Sequence, residues 1–328
     1  MRPRTRRVEI ETKVGGGETL VLKYLGRRLV SAVFVLWGAL TAIFFIVRLG
    51  TGNPAAALLG PDATESEVVA EAHRLGLNSS FADQYWIFLK HAVTLNFGQS
   101  FQFGTSAMSL VLHRAPATLE LAAGAILLIL LVSPPLGIIA AVRRDSWWDR
   151  LITSGALAAQ ALPNFWIGIV LLLVFVRKLN VLPAGGGLSV PNLVLPAITL
   201  ALPSISVLAR LVRSGLIEVM GSQYVQTARI KGLPERLVIG RHAVRNMLIP
   251  VLTVAGIQFG NLLGGSVVIE TVFNWPGLGS LMTNAAEYRD YAVVEAVMFF
   301  FALTFIVVNL ATDIAYGYFD PRVRVEEE

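Results

Sequence analysis

The sequence predicts an all-α polytopic membrane protein with six transmembrane helices, and three observations carry that expectation. Hydrophobic residues make up 55% of the 328-residue chain and charged residues only 15%, where a soluble domain carries about 25% charged residues. The apolar residues fall into blocks long enough to cross a bilayer, which takes ~20 helical residues. The basic residues gather at the ends of those blocks, as they do on the cytoplasmic side of membrane proteins. A chain with a mean hydropathy of +0.64 has more hydrophobic surface than one core can hide. Its net charge of +5 therefore points to a membrane face, and nucleic acid is not an expected partner. The absence of cysteine excludes a disulfide framework and a thiolate metal site.

Residues 1–28 form a polar, basic N-terminal segment with Arg2, Arg4, Arg6, Arg7, Lys13, Lys23, Arg27 and Arg28. No small-residue cleavage site follows the first apolar run, so that run reads as an uncleaved anchor. The transmembrane domain, residues 29–316, starts with the span 29–47. Residues 50–115 are mixed in character and read as a folded external loop with one or two short helices. The second span is 118–142, followed by a charged link, 143–150, whose Trp147 and Trp148 suit the lipid headgroup region. The third span runs continuously over 151–176. A turn rich in glycine and proline, 177–192, leads to a fourth span that starts near Leu193 and fades at Arg210 and Arg213. The fifth span is 248–269 and the sixth 292–316, with a short tail at 317–328.

Between the last two spans, residues 270–291 mix apolar and helix-breaking residues: Phe273, Trp275-Pro276-Gly277-Leu278-Gly279 and Arg289-Asp290-Tyr291. That mixture suggests an external, re-entrant-like loop dipping back against the bundle. With the N-terminus inside, residues 1–28, 143–150, 210–247 and 317–328 are cytoplasmic. Those segments hold most of the Lys and Arg, while the long loop 50–115 has only Arg74, Lys90 and Arg114. Both termini are thus expected in the cytoplasm.

The longest polar, basic interruption of the second half is Gly221–Pro250. It reads as two short helices back to back. Ser222 is suited to cap the first, its hydroxyl accepting a free first-turn amide proton. That helix, about Gln223 to Lys231, ends on Gly232, and Leu233 and Pro234 follow. Only glycine reaches the left-handed conformation cheaply, and proline blocks continuation. Pro234 suits the first turn of the second helix, and Glu235 complements its dipole. That helix carries Arg236, Arg241, His242 and Arg245. Ala228 and Gly232, four apart, share a face with almost no side chain, where another backbone can approach. The alternatives are a solvated membrane-proximal loop and a DNA-binding helix-turn-helix. The second fits poorly with spans on both sides.

Several chemistries lack their residues. No GxxxxGK[ST] phosphate loop occurs, since Gly15-Gly16-Gly17 has no Gly-Lys-Ser/Thr after it, so no nucleotide hydrolysis is expected in this chain. His73, His91, His113 and His242 have no metal-ligand spacing, and no metal site is expected. Near the span centres charge is sparse: Glu120 and Glu295 fall towards the outer ends, and Arg210, Arg213 and Asp313 towards the inner ends. An ion-coupled carrier normally keeps an ionisable group deep in the membrane. The polar residues that do sit inside are Gln160, Asn164, Gln258, Asn261 and Asn309. The first four are candidates to line a translocation path. All five also suit hydrogen bonds between helices, the commoner role for such residues, and Gly264, Gly265 and Ser266 suit close helix packing.

The string YVQTARIKGLPERLVIGRHAVRNMLIP resembles the cytoplasmic loop in the permease subunits of bacterial binding-protein-dependent ABC importers. Ala228, Gly232, Ile249 and Pro250 stand at the positions matching that family's loop. The likeness extends to permeases of dipeptide, oligopeptide and nickel importers. It includes Leu75-Gly76-Leu77, Asn96-Phe97-Gly98, Ala115-Pro116-Ala117-Thr118-Leu119-Glu120, the string Glu270-x-x-Phe273-x-x-Pro276-Gly277-x-Gly279 and Asp320-Pro321-Arg322. It covers nearly everything after about residue 25. One departure is that Gln223 and Gln226 occupy the neighbourhood of an acidic residue common early in the loop motif.

The resemblance implies the type I importer permease fold in a bacterial inner membrane. It implies a coupling helix docked into an ATPase subunit, with Tyr224, Val225, Thr227, Ala228, Lys231, Gly232, Leu233, Pro234 and Glu235 in the ATPase-coupling segment, 221–247. The implied partners are a second homologous permease subunit, two ABC ATPase subunits, an external substrate-binding protein and membrane lipid. No cofactor is expected on this chain, ATP and Mg belonging to the partner subunits. Peptides are the implied cargo class, with glutathione, haem and nickel also served by such permeases. The competing reading is a stand-alone ion-coupled carrier or channel in which 221–247 is only a loop. A membrane enzyme lacks any visible catalytic constellation.

Overall fold

The computed structural model describes residues 16–50, 54–59, 63–74, 78–240 and 245–319, some of them by backbone alone. The described residues are helical apart from turns and one isolated bridge between Gln99 and Ser106. In chain order the helices are α1 (Gly16–Gly50), α2 (Pro54–Leu59), α3 (Glu65–Arg74), α4 (Phe81–Thr94), α5 (Ala107–Val142), α6 (Trp147–Ala161), α7 (Asn164–Leu171), α8 (Val190–Met220), α9 (Gln223–Ile230), α10 (Glu235–Leu237), α11 (Arg245–Val272), α12 (Leu278–Glu287) and α13 (Tyr291–Phe319). A π-helical turn, Leu172–Lys178, continues α7.

Among the described residues four helices are long and apolar enough to cross a membrane: Gly26–Arg48 of α1, α5, α8, and Tyr291–Thr312 of α13. The α6–α7 pair is a fifth if its two arms count as one span. α11 occupies the place of the fifth apolar block over 28 residues. The loop after α1 holds three short helices where one or two were expected, and α5 begins at Ala107, well before Thr118.

The third block is not one continuous helix. It bends by 107° between α6 and α7. Leu162 is extended (φ −91°, ψ 137°), as is Pro163 (φ −61°, ψ 135°). Proline lacks the amide proton and disfavours the α conformation in the residue before it. Hydropathy runs through the break because the flanking residues stay apolar. Pro116, Pro134 and Pro135 sit inside α5, and Pro196 and Pro203 inside α8, without ending either helix. Membrane helices tolerate interior proline where neighbouring helices, hydroxyl side chains and local adjustments re-satisfy the freed carbonyls.

The core has two parts. In one, α5, α8 and α11 meet around Leu121, Ile129, Leu200, Leu208, Leu262 and Ile269, closed at one end by Phe273 and Trp275. There α5 and α8 approach so closely that a Cβ on Gly137 would lie 2.5 Å from the Ala209 carbonyl oxygen. In the other, Phe44 of α1, Phe88 of α4, Phe97, Leu281 of α12 and Val293 and Val297 of α13 pack together. Large apolar side chains such as Phe34, Leu131, Ile139 and Val307 stay exposed. Lipid tails are as apolar as leucine, so such side chains need no protein cover, and close packing rather than water exclusion holds the helices together.

Chain direction gives the bundle two ends. α11 rises over about 40 Å from the α9–α10 segment to Phe273, at ~1.5 Å per residue. The starts of α5 and α8 and the end of α11 meet at the Phe273 end, where a Cβ on Gly185 would lie 2.0 Å from the Phe273 carbonyl oxygen. The ends of α5 and α8 lie at the other.

Candidate functional site

At the α9–α10 end, α8 stops at Gly221, Ser222 is extended (φ −70°, ψ 152°), and α9 starts at Gln223. Ser222 is the N-cap of α9, but its hydroxyl makes no capping bond. It donates instead to the Val219 carbonyl at 2.6 Å, so the expected cap serves as a strap onto α8. Gln226 Nε2 donates to the Gly221 carbonyl at 3.2 Å. These bonds fasten α9 to the last turn of α8.

α9 ends as its sequence predicts. Gly232 has φ +77°, the left-handed region glycine enters without a Cβ penalty. The Leu233 N–H donates to the Ala228 carbonyl (3.3 Å) and the Gly232 N–H to the Arg229 carbonyl (2.9 Å), a helix-ending pattern that satisfies carbonyls the helix leaves free. Pro234 then starts α10 as its N-cap, with φ −65°. Arg229 bonds Glu235 across the turn, Nη2 to Oε1 at 2.6 Å and Nε to Oε2 at 3.2 Å. That bond holds the Glu235 carboxyl below the ordinary glutamate range.

The nine residues of the candidate coupling set divide by exposure. Val225 and Ala228 are buried, forming with Val238 a small core on which Val219 packs. The open patch expected at Ala228 is therefore filled by the segment itself, which folds back over the small side chain. Tyr224, Thr227, Lys231, Gly232, Leu233, Pro234 and Glu235 are exposed. Thr227 turns its hydroxyl onto the Gln223 carbonyl at 2.9 Å. Ile230, at 86% exposure, and Leu237 join Tyr224 and Leu233 as exposed apolar side chains. The side chain of Arg236, and Arg241 and His242 with their neighbours 243 and 244, lie outside the described residues. Ile249 and Pro250 are in α11.

The four candidate path residues do not form one cluster. Gln160 is exposed and accepts a bond from Arg210 Nη2 at 2.5 Å through its Oε1. Asn164 is half-buried and opens α7. Gln258 is buried, and its Oε1 accepts from Asn261 Nδ2 at 2.8 Å, within one face of α11. Asn309 donates to the Phe305 carbonyl of its own helix at 3.0 Å.

The structure brings together polar residues that sequence reasoning left apart. Arg213 of α8 forms a two-pronged ion pair with Asp149 of α6, Nε to Oδ1 at 2.5 Å and Nη2 to Oδ2 at 2.7 Å. Asp149 belongs to the charged link 143–150, yet it is 4% exposed. Arg48 of α1 pairs with Glu295 of α13 at 3.3 Å.

At the Phe273 end, the buried carboxylate of Glu270 accepts from Thr118 Oγ1 (2.7 Å) and from the backbone N–H groups of Gly279 (2.7 Å) and Ser280 (3.1 Å). It thus caps α12 from another helix. The Thr118 oxygen in turn accepts from the Leu278 N–H at 2.7 Å, and Trp275 Nε1 donates to the Ala117 carbonyl at 2.8 Å. The Glu-Phe-Pro-Gly-Gly string is the covalent record of this knot. A Cβ on Gly277 would lie 2.4 Å from Glu270 Oε2, and one on Gly279 2.4 Å from Val267 Cα.

A helical bundle with several apolar spans, this knot at one end and the strapped α9–α10 segment at the other, has the build of a polytopic membrane protein. Residues 133–325 match the family described as the binding-protein-dependent transport system inner membrane component, and residues 21–122 match its N-terminal counterpart. The chain is 35% identical over 332 residues to the dipeptide transport system permease protein DppB of Alkalihalophilus pseudofirmus, covering 93% of this chain and 100% of that one. It is 36% identical over 304 residues to the glutathione transport system permease protein GsiC of Escherichia coli, covering 93% and 99%. Among solved structures, the MetNI methionine ABC transporter in inward-facing form superposes with a TM-score of 0.54 at 15% identity, over 65% of this chain and 97% of the matched chain. The chain belongs to the family of binding-protein-dependent transport system inner membrane components.

Proposed function

We propose that this chain is one of two related permease subunits forming the translocation path of an ATP-driven importer, and that residues 222–240 dock onto an ATPase subunit. The observation that carries this reading is the two-sided build of the segment. Val225, Ala228 and Val238 face inward on a core of their own, while Tyr224, Ile230, Leu233 and Leu237 are exposed. Four exposed apolar side chains within fourteen residues of a basic segment suit a partner surface.

In this account two ATPase subunits bind ATP and Mg and supply the energy, and an external substrate-binding protein delivers the cargo. The names of the dipeptide and glutathione relatives support small peptides as the cargo class. The chain crosses a bacterial cytoplasmic membrane six times with both termini in the cytoplasm, which places 221–247 beside the ATPases. Closure of the ATPases on nucleotide pushes α9. The straps from Ser222 and Gln226 to the end of α8 pass the push into the bundle rather than absorbing it. The path candidates Gln160, Asn164, Gln258 and Asn261 keep that role in this reading, with Gln160 held by Arg210 and Gln258 by Asn261.

The test is purification of this chain from mild detergent with its companions, followed by uptake and ATP turnover in liposomes. Wild type is expected to bring down a second permease and ATPase subunits. Gly232→Val is expected to insert normally and to uncouple uptake from hydrolysis. A chain that purifies alone, or a Gly232→Val protein with normal uptake, contradicts the docking assignment.

A further inference from the structure

We infer that the Asp149–Arg213 pair is the joint through which α8 carries the stroke of the docking segment into α6, making both residues positioning residues for transport. The inference rests on the docking role proposed for 222–240. It starts from what holds α6. Of the residues in that helix only Asp149 and Ala156 are buried, and much of the rest is exposed, including Trp147, Leu151 and Leu157. α6 therefore has little interlocked apolar packing to fix it on α8, unlike α5, whose Ala117, Leu121, Ala125, Ile129 and Ala141 share a buried core with that helix. What it has instead is polar fastening at both ends. Arg213 grips Asp149 in the first turn by two charge-assisted bonds, and Arg210 reaches Gln160 in the last turn. Two arginines three positions apart on α8 splay in opposite directions to span the length of α6.

The Asp149 side is built for a fixed geometry. Its Oδ2 also accepts from the Asp145 N–H at 3.0 Å, and its Oδ1 from Thr153 Oγ1 at 3.3 Å. With every lone-pair direction used and the carboxylate almost out of solvent, the fork-to-fork pair permits little rotation or sliding. Such pairs are roughly twice as strong as neutral hydrogen bonds and far more directional. Arg213 lies two turns before Gly221, where α9 is strapped back onto α8. At its far end α6 leads through the Leu162-Pro163 bend into α7. There a Cβ on Gly168 would lie 3.1 Å from the Phe273 ring. The pair thus opens a route from the docking end to the Phe273 end that bypasses α11. A physical joint of this kind is established by showing that both sides move as one.

The chain has no cysteine, so an introduced pair carries this chain's only labels, and the labelled permease is then assembled into the complete importer. Spin labels on Ser154→Cys in α6 and Glu218→Cys in α8 are read with and without trapped ATP, and the two helices are expected to keep their separation in both states. In Asp149→Asn or Arg213→Gln the separation is expected to shift with nucleotide by about 2 Å, the scale of helix displacements in switching proteins. Transport per ATP should then fall by about tenfold, within the span of coupling free energies between sites. Exchange of the pair, Asp149→Arg with Arg213→Asp, is expected to restore both readouts in part. A separation that already shifts in wild type overturns the inference. So does one that stays constant in Asp149→Asn with unchanged transport per ATP. Should both neutral variants fail to assemble, Arg213→Lys, which keeps the charge and loses the fork, must show the shift. Normal transport in Gly232→Val defeats the docking role itself. A defective Gly232→Val beside a normal Asp149→Asn defeats only the joint.

Discussion

Thr118 and Glu270 stand 152 positions apart in the chain and are joined by a 2.7 Å hydrogen bond that closes a knot of three helices. The Thr118 oxygen both donates to the carboxylate and accepts the Leu278 N–H. Glu270, rising from α11, accepts two further N–H groups of the first turn of α12. One hydroxyl and one carboxylate therefore satisfy the donors that α12 leaves free, in a place where water does not reach them.

Removing the carboxylate leaves those buried donors without partners. Glu270→Ala is expected to destabilise the folded permease by about 2 kcal/mol or more, and Thr118→Val by about 1–2 kcal/mol, since an unmet buried group costs more than a hydrogen bond nets. Thermal unfolding of the purified protein in detergent checks the order. Equal melting of wild type and both variants contradicts the knot.

The glycines around Glu270 make a separate prediction about space. Gly279→Ala forces a Cβ against the Val267 backbone, which cannot yield as a side-chain tip can. It is expected to lower the yield of folded protein sharply. Gly155→Ala in α6 meets nothing within 4 Å and is expected to raise stability by about 0.5–1 kcal/mol, through the better helix propensity of alanine. Matched expression and melting of the two variants separates crowding from propensity.

The turn at Gly232 was legible in the sequence because glycine and proline act locally: the left-handed cap and the second helix start are set by a few consecutive residues. The apolar blocks were legible for the same reason, each carrying its own periodicity and length. What was not legible needed partners remote in the chain. Asp149 and Arg213 are 64 positions apart, and each reads alone as a flanking charge. Glu270 reads as part of a string, and only the fold shows that it caps α12. The Leu162-Pro163 break was hidden for a different reason. Proline does not end α5 or α8, so its presence in an apolar block decides nothing until the packing around it is known. Ala228 shows a local pattern with two outcomes: a small face invites close approach, and here the approaching chain is the segment's own.

The Arg229–Glu235 bond ties the two arms of the α9–α10 hairpin, and its pH dependence has a definite sign. Because the Glu235 carboxyl titrates below its ordinary value in the folded hairpin, its contribution is present above the ordinary glutamate range. It is lost as pH falls through the lowered folded value. Amide exchange in residues 223–237 is expected to be slow at neutral pH and to lose protection on acidification, relative to the intrinsic rate. Glu235→Gln should show the weaker protection at both pH values. Protection in the wild type that is independent of pH and matches the variant contradicts a role for the pair.

If the exposed side of the hairpin seats an ATPase subunit, site-directed cross-linking reads that contact without an intermediate step. A single cysteine is placed at Ile230, which is 86% exposed, in the otherwise cysteine-free chain. A second variant carries it at Val93 of α4, which is 84% exposed. A short thiol-directed photo-cross-linker is attached to each variant within the assembled importer. An adduct with the ATPase subunit is expected from Ile230→Cys, changed in yield by nucleotide, and none from Val93→Cys. Absence of the Ile230 adduct, or equal adducts from both positions, would contradict the docking.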